Sequence, residues 1–311
     1  MELMDPRIPI LQRIDLSKSR VQFNKKTVLL CGGRYGGPEI QEDEFLSIRH
    51  ALYIGQAPND DFEYLLAETH PEWIHDGIYP NLLEYENNLA TLCTRVIVIL
   101  ESASAISEAG VFSQVEELSK KTTLIIPDRH HGSNSYIDLG VVRKIEEDSN
   151  KKSHYYPWHE HRHSSITKEL AEEIREDLKE VILDDHPRQF YKNSNTGHLI
   201  ILINQLIIFF QALLIKELES YLKILGLDIS EKLLKKHLKL LENLEAIRLV
   251  PVGNRIFYTC TNRELFRMIV KNSIRTEDEV RIIEECKHFY ENSKEEKKRL
   301  QAIKKSMGIQ L

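Results

Sequence analysis

The densest group of chemically useful residues is Glu101-Ser-Ala-Ser-Ala-Ile-Ser-Glu108-Ala-Gly110, directly after the apolar run of residues 95–100. Small residues there, Gly110 among them, let a ligand approach the backbone, and Ser102, Ser104 and Ser107 supply hydroxyls. A helix beginning near Ser107 would aim its first amides at an anion and carry Glu108 in its first turn. A carboxylate so placed can attack or electrostatically stabilise an anomeric carbon while an N-glycosidic bond breaks and oxocarbenium charge develops. The helix dipole alone also favours glutamate in a first turn. The segment by itself therefore leaves a purely structural role open.

Other candidates are weaker. Gly32-Gly33-Arg34-Tyr35-Gly36-Gly37-Pro38 is glycine-rich but lacks the Lys-Ser/Thr ending of a phosphate-binding Walker loop. Cys31 reads as a small buried filler rather than a nucleophile. His154, His159, His161 and His163 form no helical i, i+4 pair and have no cysteine among them, so a solvated loop is expected and no metal site. The four cysteines, Cys31, Cys93, Cys260 and Cys286, are scattered with no CxxC pair, which fits a reducing, cytoplasmic setting rather than a disulfide framework.

These groups need elements to position them. Thr27-Val-Leu-Leu-Cys31, residues 95–100 and residues 122–126 are short apolar runs that stop at Gly32-Gly33, Glu101-Ser102 and Pro127-Asp128. Helical stretches at 82–92 and 107–120 alternate with them, and residues 51–54 suggest a further strand. The pattern predicts βαβ units: an α/β domain with a doubly wound, mostly parallel sheet over residues 1–183. Ligands in such sheets bind beyond the carboxyl ends of the strands, where the candidate segments fall. Residues 184–196, with a proline and an Asn/Ser run, read as a linker.

The rest of the chain has a different pattern. Residues 198–214 are almost uniformly apolar, but Asn204, Gln205 and Gln211 interrupt them and no basic cluster precedes them. A buried helix is expected, in a domain core or at the interface of a homo-oligomer, and no membrane span. Next come a helix over 216–225 and one over 231–245 capped by Ser230. In the latter Leu234, Leu238 and Leu241 form a stripe and Lys235, Lys236 and Lys239 mostly face away from it. A hairpin turning at Gly253-Asn254 follows. This order predicts an α-rich winged helix over residues 197–280 and a basic C-terminal helix over 281–311. Residues 197–311 hold 20 Lys+Arg against 15 Asp+Glu, a balance of +5, so the remainder of a chain with net charge −6 stands at −11. A polyanionic partner for the C-terminal part alone fits that asymmetry, with Lys235, Lys236 and Lys239 as candidate phosphate contacts.

Leu29-Leu-Cys-Gly-Gly33, Leu82-Leu-Glu-Tyr-Glu-Asn87, Glu101-Ser102 with Glu108-Ala-Gly110, and Ser135-Tyr-Ile-Asp-Leu-Gly-Val-Val-Arg143 occur in one order and at suitable spacing. The set resembles retron-associated anti-phage effectors carrying a nucleoside 2-deoxyribosyltransferase-like domain. The resemblance spans about residues 25–146, and the order of C-terminal elements matches that family's winged-helix domain more loosely. It implies a catalytic Glu108, with Gly32 and Gly33 lining a base or phosphate pocket. It places Glu86 as a second carboxylate beside Asn87, and Glu101 and Ser102 on the sugar. Asp138 stands where the family pattern has Asn, which puts an amide contact there in doubt. The resemblance further implies a toxin that cleaves the N-glycosidic bond of a nucleotide, with NAD as leading substrate and no resident cofactor. Control would come from a retron reverse transcriptase and its multicopy single-stranded DNA/RNA. Two competing readings are a deoxyribosyltransferase or hydrolase of nucleotide salvage, and a non-catalytic DNA-binding nucleotide sensor.

Overall fold

A computed structural model describes residues 4–36, 45–58, 60–69, 77–159, 162–186, 188–261, 266–272 and 276–308. The chain divides into two compact units that do not follow the two sequence halves. One comprises residues 25–69 and 89–186, the other residues 1–24, 70–88 and 187–311.

The first unit is α/β. Five parallel strands lie in the order Phe62–Leu65, Lys26–Cys31, Arg95–Ile99, Thr122–Pro127, His154–Tyr156. The Arg95–Ile99 and Thr122–Pro127 strands are buried at every residue, as a parallel sheet covered on both faces requires. On one face Val28, Leu30, Ile97 and Ile99 meet Ile48, Ala51 and Leu52 of the helix Ile48–Ile54 and Ile174 and Leu178 of Lys168–Leu183. The helix Ala103–Gln114 packs on the sheet by burying Ala105, Ala109 and Phe112.

The expected strand at 51–54 is part of the helix Ile48–Ile54 instead. Ser47 caps it by accepting the His50 N–H at 2.9 Å, and a carboxylate from elsewhere receives the amides of Ile48 and Arg49. Those end groups override the β-leaning Tyr53-Ile54. The fifth strand is Phe62–Leu65.

In the second unit the apolar segment forms the helix Thr196–Phe210, capped by Asn195 and buried at thirteen of its fifteen residues. Gln205 is accommodated there by bonding on both sides: its amide donates to Glu279 and its carbonyl accepts the Met268 N–H. Gln211 takes a left-handed φ of 62° and ends the helix, and Ala212–Leu213 begins a sheet. Among the described residues no helix is long and apolar enough to cross a membrane. From this helix the element order is helix, strand Ala212–Leu213, helix Ile215–Ile224, helix Glu231–Asn243, and a hairpin Ile247–Val252/Arg255–Cys260. The short strand pairs with the second hairpin strand, giving the sheet order Ala212–Leu213, Arg255–Cys260, Ile247–Val252. Gly253, at φ 60°, supplies the positive dihedral that the two-residue turn needs.

Two expectations are corrected here. The supposed linker contains a strand, Arg188–Phe190, which pairs with Arg20–Phe23, itself paired with Phe266–Ile269. All three of its residues are exposed, so no apolar alternation marks it. The single basic helix over 281–311 is two helices, Glu279–Asn292 and Lys297–Ser306, parted at an extended Ser293. Arg299 in the second is buried, not a solvated terminal cation: it is held by Glu217, Glu296 and the Ala212 carbonyl.

Candidate active site

A parallel sheet with this strand order has its switch point where the chain, having laid the second strand on one side of the first, lays the third on the other. A crevice opens there at the carboxyl ends. In this unit those two strands are Lys26–Cys31 and Arg95–Ile99. They deliver Cys31-Gly32-Gly33 and Glu101 to one edge, joined by the amino end of the helix Ile48–Ile54 and by Glu108 from Ala103–Gln114.

Glu101 is the organiser of this edge. Its buried carboxylate accepts the N–H of Gly33 at 2.9 Å, of Ile48 at 2.8 Å and of Arg49 at 3.0 Å. Burial pushes its carboxyl up from the ordinary range, and the three amides pull against that. Glu101, expected to hold a sugar, has both oxygens engaged by backbone donors and also lines the neighbouring cavity. The glycines share this packing. A Cβ on Gly32 would lie 2.8 Å from the Arg49 Cβ and 2.9 Å from Glu101 Oε1, and one on Gly33 would lie 2.8 Å from the Ser47 Cβ. Close contact with Ser47, Arg49 and Glu101 accounts for both glycines before any ligand is considered.

Helix Ala103–Gln114 starts four residues earlier than expected, capped by Ser102, whose Oγ accepts the Ala105 N–H at 3.1 Å and donates to the Gly32 carbonyl at 3.0 Å. Glu108 consequently sits in the second turn, where the dipole argument for a first-turn glutamate no longer applies. Its carboxyl is half-buried, and Oε2 is shielded from solvent without a hydrogen-bond partner among the described residues. Burial raises its pKa, while a hydrogen bond from the Cys31 thiol and the charge of Arg49 pull it down and Glu68 adds to the rise. Arg49 in turn forms a two-pronged pair with Glu68, Nη1 at 2.7 Å and Nη2 at 2.6 Å, and leaves its own buried Nε unpartnered. Burial works to raise the Glu68 carboxyl, but the bonds to Arg49 outweigh it and hold Glu68 low.

Arg49 and Glu68 were not anticipated from sequence. Neither belongs to a motif, although Ser47 ahead of an apolar run could have marked the helix start.

A cavity of about 240 Å³ opens at the same carboxyl edge, on the side of the Thr122–Pro127 and His154–Tyr156 strands. Its walls are mainly apolar, with Leu100, Ile106, Ile126 and Val142, and its polar groups include Ser102, Ser135, Asp138 and Tyr155. Asp138 stands on the π-helical segment Ile137–Val142 and accepts the Asn134 N–H through Oδ2 at 3.2 Å. Glu108 is not among the lining residues; two steps beyond Ile106, it projects from the other side of the helix.

The remaining candidates are dispersed. Ser104 and Ser107 are exposed, and the Ser107 hydroxyl is turned back onto the Ala103 carbonyl at 3.0 Å. Gly110 has open space where a Cβ would project, so nothing steric demands glycine there. Glu86 and Asn87 lie on the helix Leu82–Leu92 in the part that groups with the second unit; the Asn87 Oδ1 is buried without a partner among the described residues. His161, Gly37 and Pro38 lie outside the described residues.

In the second unit Lys235 pairs with Glu231 at 2.7 Å and Lys239 with Glu242 at 3.1 Å. Lys236 departs most from expectation, being buried and ion-paired with Glu84 while Tyr79 donates to its carbonyl at 3.1 Å. As placed, its ammonium cannot meet a phosphate.

Comparison with known proteins adds what geometry cannot. A retron Ec73 protein of Escherichia coli, named as a candidate ribosyltransferase/DNA-binding protein, is 26% identical over 258 residues, covering 78% of this chain and 80% of its own length. A retron Ec86 protein of Escherichia coli with the same designation is 29% identical over 132 residues, 41% of this chain and 39% of its own. The profile of the STM3845 retron effector protein matches residues 46–249, a span that takes in Arg49, Glu101, Glu108 and the helix Glu231–Asn243. With well over half of its length matched, the chain belongs to the STM3845 family of retron effector proteins.

Proposed function

We propose that this retron-linked defence effector is a glycosyl-bond enzyme whose first unit is nucleoside deoxyribosyltransferase-like and whose catalytic carboxylate is Glu108. The observation that carries the reading is the shielded, unpartnered Glu108 Oε2 at the switch-point edge, beside the Cys31 thiol and the Arg49 charge. A carboxyl oxygen left without a hydrogen-bond partner among the described residues keeps its lone pairs for an oxocarbenium-like C1′. In the reaction the electron pair of the C1′–N bond leaves with the base, the carboxylate receives or stabilises C1′, and water completes hydrolysis. The Arg49 charge works against the burial that raises the Glu108 pKa, and its buried Nε, without a partner among the described residues, is a donor for the substrate. The designation of both relatives as ribosyltransferases supports the same class of chemistry. NAD is the substrate to test first, on the strength of the resemblance.

We also read the Thr196–Cys260 stretch as a winged helix, supported by its element order and by the pairing of its short first strand with the hairpin. Its role would be to dock on the retron reverse transcriptase and its RNA–DNA product, which would hold the enzyme in check; both relatives are also designated DNA-binding. Mass spectrometry of nucleotide pools in cells expressing wild type and Glu108→Gln tests the enzymatic reading. Loss of NAD with free nicotinamide in wild type alone is expected. Unchanged pools in both, or equal depletion by both, would sink it.

A further inference from the structure

Binding to a nucleic-acid backbone releases counterions in proportion to the phosphates neutralised, and a cation already matched by an internal carboxylate contributes little to that release. By this criterion the helix Glu231–Asn243 is the weaker phosphate reader, its exposed Lys232 being the one lysine there without a carboxylate partner among the described residues. Lys235, Lys236 and Lys239 are each ion-paired, with Glu231, Glu84 and Glu242. One face of that helix is also occupied in cis. Tyr79 bonds to the Lys236 carbonyl, Asn243 lies 3.5 Å from the Tyr85 hydroxyl, and the Tyr79 and Tyr85 rings meet edge-on with centroids 5.1 Å apart.

The hairpin and the last helix show the opposite arrangement. Residues 247–260 and 297–308 contain seven cations and no acid. One of the seven, Arg299, is consumed by buried ion pairs. The other six are Arg248, Arg255, Lys297, Lys298, Lys304 and Lys305, all exposed except half-buried Lys298. None of Arg248, Arg255, Lys297 and Lys304 has a carboxylate partner among the described residues. The two elements pack together, and their contacts gather charge at the turn of the hairpin: Lys298 donates to Asn254 Oδ1 at 2.9 Å, and Lys305 reaches the Pro251 carbonyl at 3.4 Å.

We infer that the phosphodiester backbone of a nucleic-acid partner is gripped by the hairpin turn together with the helix Lys297–Ser306, and not by the helix Glu231–Asn243. The inference rests on the reading that the second unit meets a nucleic acid, and it reassigns the surface that does so. A wing and a terminal helix that carry unmatched charge bind backbone without reading bases, so affinity is steep in salt and tolerant of sequence.

The test uses the full chain and a fluorescein-labelled DNA duplex of mixed sequence, followed by anisotropy across a salt series. The triple variant Arg255→Ala/Lys304→Ala/Lys305→Ala should lose affinity at least about tenfold, and its salt slope should fall by up to roughly 0.9 for each phosphate contact removed. Lys235→Ala/Lys239→Ala should bind as wild type. Circular dichroism melts check that both variants fold; if the triple variant melts early, charge-preserving Arg255→Lys/Lys304→Arg/Lys305→Arg should restore binding. Loss of binding in the Lys235/Lys239 variant with none in the triple variant overturns the surface assignment alone. A wild-type chain that binds no duplex at all overturns the nucleic-acid reading with it.

Discussion

Replacing Glu101 should damage the fold before it damages any chemistry. Three backbone amides, those of Gly33, Ile48 and Arg49, end on its carboxylate at 2.8–3.0 Å, two of them on Oε1 and one on Oε2. Hydrogen bonds to a charged acceptor contribute about 1.5–3 kcal/mol each, and a buried donor left unpaired costs about 1–3 kcal/mol. Glu101→Ala strands all three donors, although it also removes the desolvation of a buried carboxyl. The net loss should be about 3–6 kcal/mol, a large part of the ~5–15 kcal/mol that a domain has in total. Glu101→Gln retains an acceptor for Gly33 and Arg49 but sets an NH2 against the Ile48 N–H, for about 1–3 kcal/mol. Hydrogen exchange followed over residues 29–50 reads this directly. Exchange at Gly33, Ile48 and Arg49 should speed by roughly a hundredfold or more in Glu101→Ala, since each ~1.4 kcal/mol is a factor of ten. Urea midpoints should order wild type above Gln above Ala. Unchanged exchange in Glu101→Ala, together with a stability loss under ~0.5 kcal/mol, would refute the clamp. Loss of activity alone would return Glu101 to the role of a sugar ligand.

Two further outcomes follow from buried titratable groups. Burial raises the Glu108 pKa in the folded state, so the folded form holds that proton more tightly than the unfolded chain. Its contribution to stability is complete at acid pH and lost as pH rises through the folded pKa. Glu108→Gln, fixed neutral, should therefore melt above wild type at pH 7, by a margin that shrinks as pH falls into the carboxylate range; a variant less stable at neutral pH would contradict the buried setting. His237 works in the opposite sense. Burial, then the neighbouring Lys236 charge, pushes its pKa down to about 4 from 6.5, and neither ring nitrogen has a partner. The unfolded chain takes up the proton first, so stability present above pH 6.5 drains away towards pH 4, by roughly 3 kcal/mol for that shift. His237→Leu should flatten this acid limb and also gain about 1–3 kcal/mol at neutral pH by removing two orphaned nitrogens. An acid unfolding midpoint identical to wild type would exclude His237 as the titrating group.

What could be read from the residues followed burial. The strands at 26–31, 95–99 and 122–127 are continuous apolar runs because helices cover both faces of their sheet, and such runs cannot be mistaken for loops. Phe62-Glu-Tyr-Leu65 lies at the edge, alternates in burial and is only four residues long, and it went unassigned. Ala51–Ile54 misled because the groups that start its helix are Ser47, one turn upstream, and Glu101, some fifty residues away. A sequence window contains the first and not the second. The same applies to Arg188–Phe190, whose strand partner, residues 20–22, lies far away in the chain.

The site shows why motif and geometry part company. A switch point collects residues from connections far apart in the chain: Cys31 after the first strand, Arg49 from the first crossover, Glu68 after the second strand, Glu101 and Glu108 after the third strand in the sequence. Only residues in a contiguous motif, such as Glu101 and Glu108, can be nominated from sequence, and the motif cannot say which of the two is bound to backbone. The amide partners make the distinction. A carboxylate that accepts three N–H groups is fixed by the backbone, whereas one with a shielded oxygen that has no donor among the described residues retains affinity there for an incoming positive centre. The lysines obey the same logic. Lys236 and Arg255 look equivalent as letters, yet one is matched by Glu84 and the other by no carboxylate among the described residues, and only unmatched charge has free energy left for a partner. In both units, function is to be sought among the charges that the fold itself has not used.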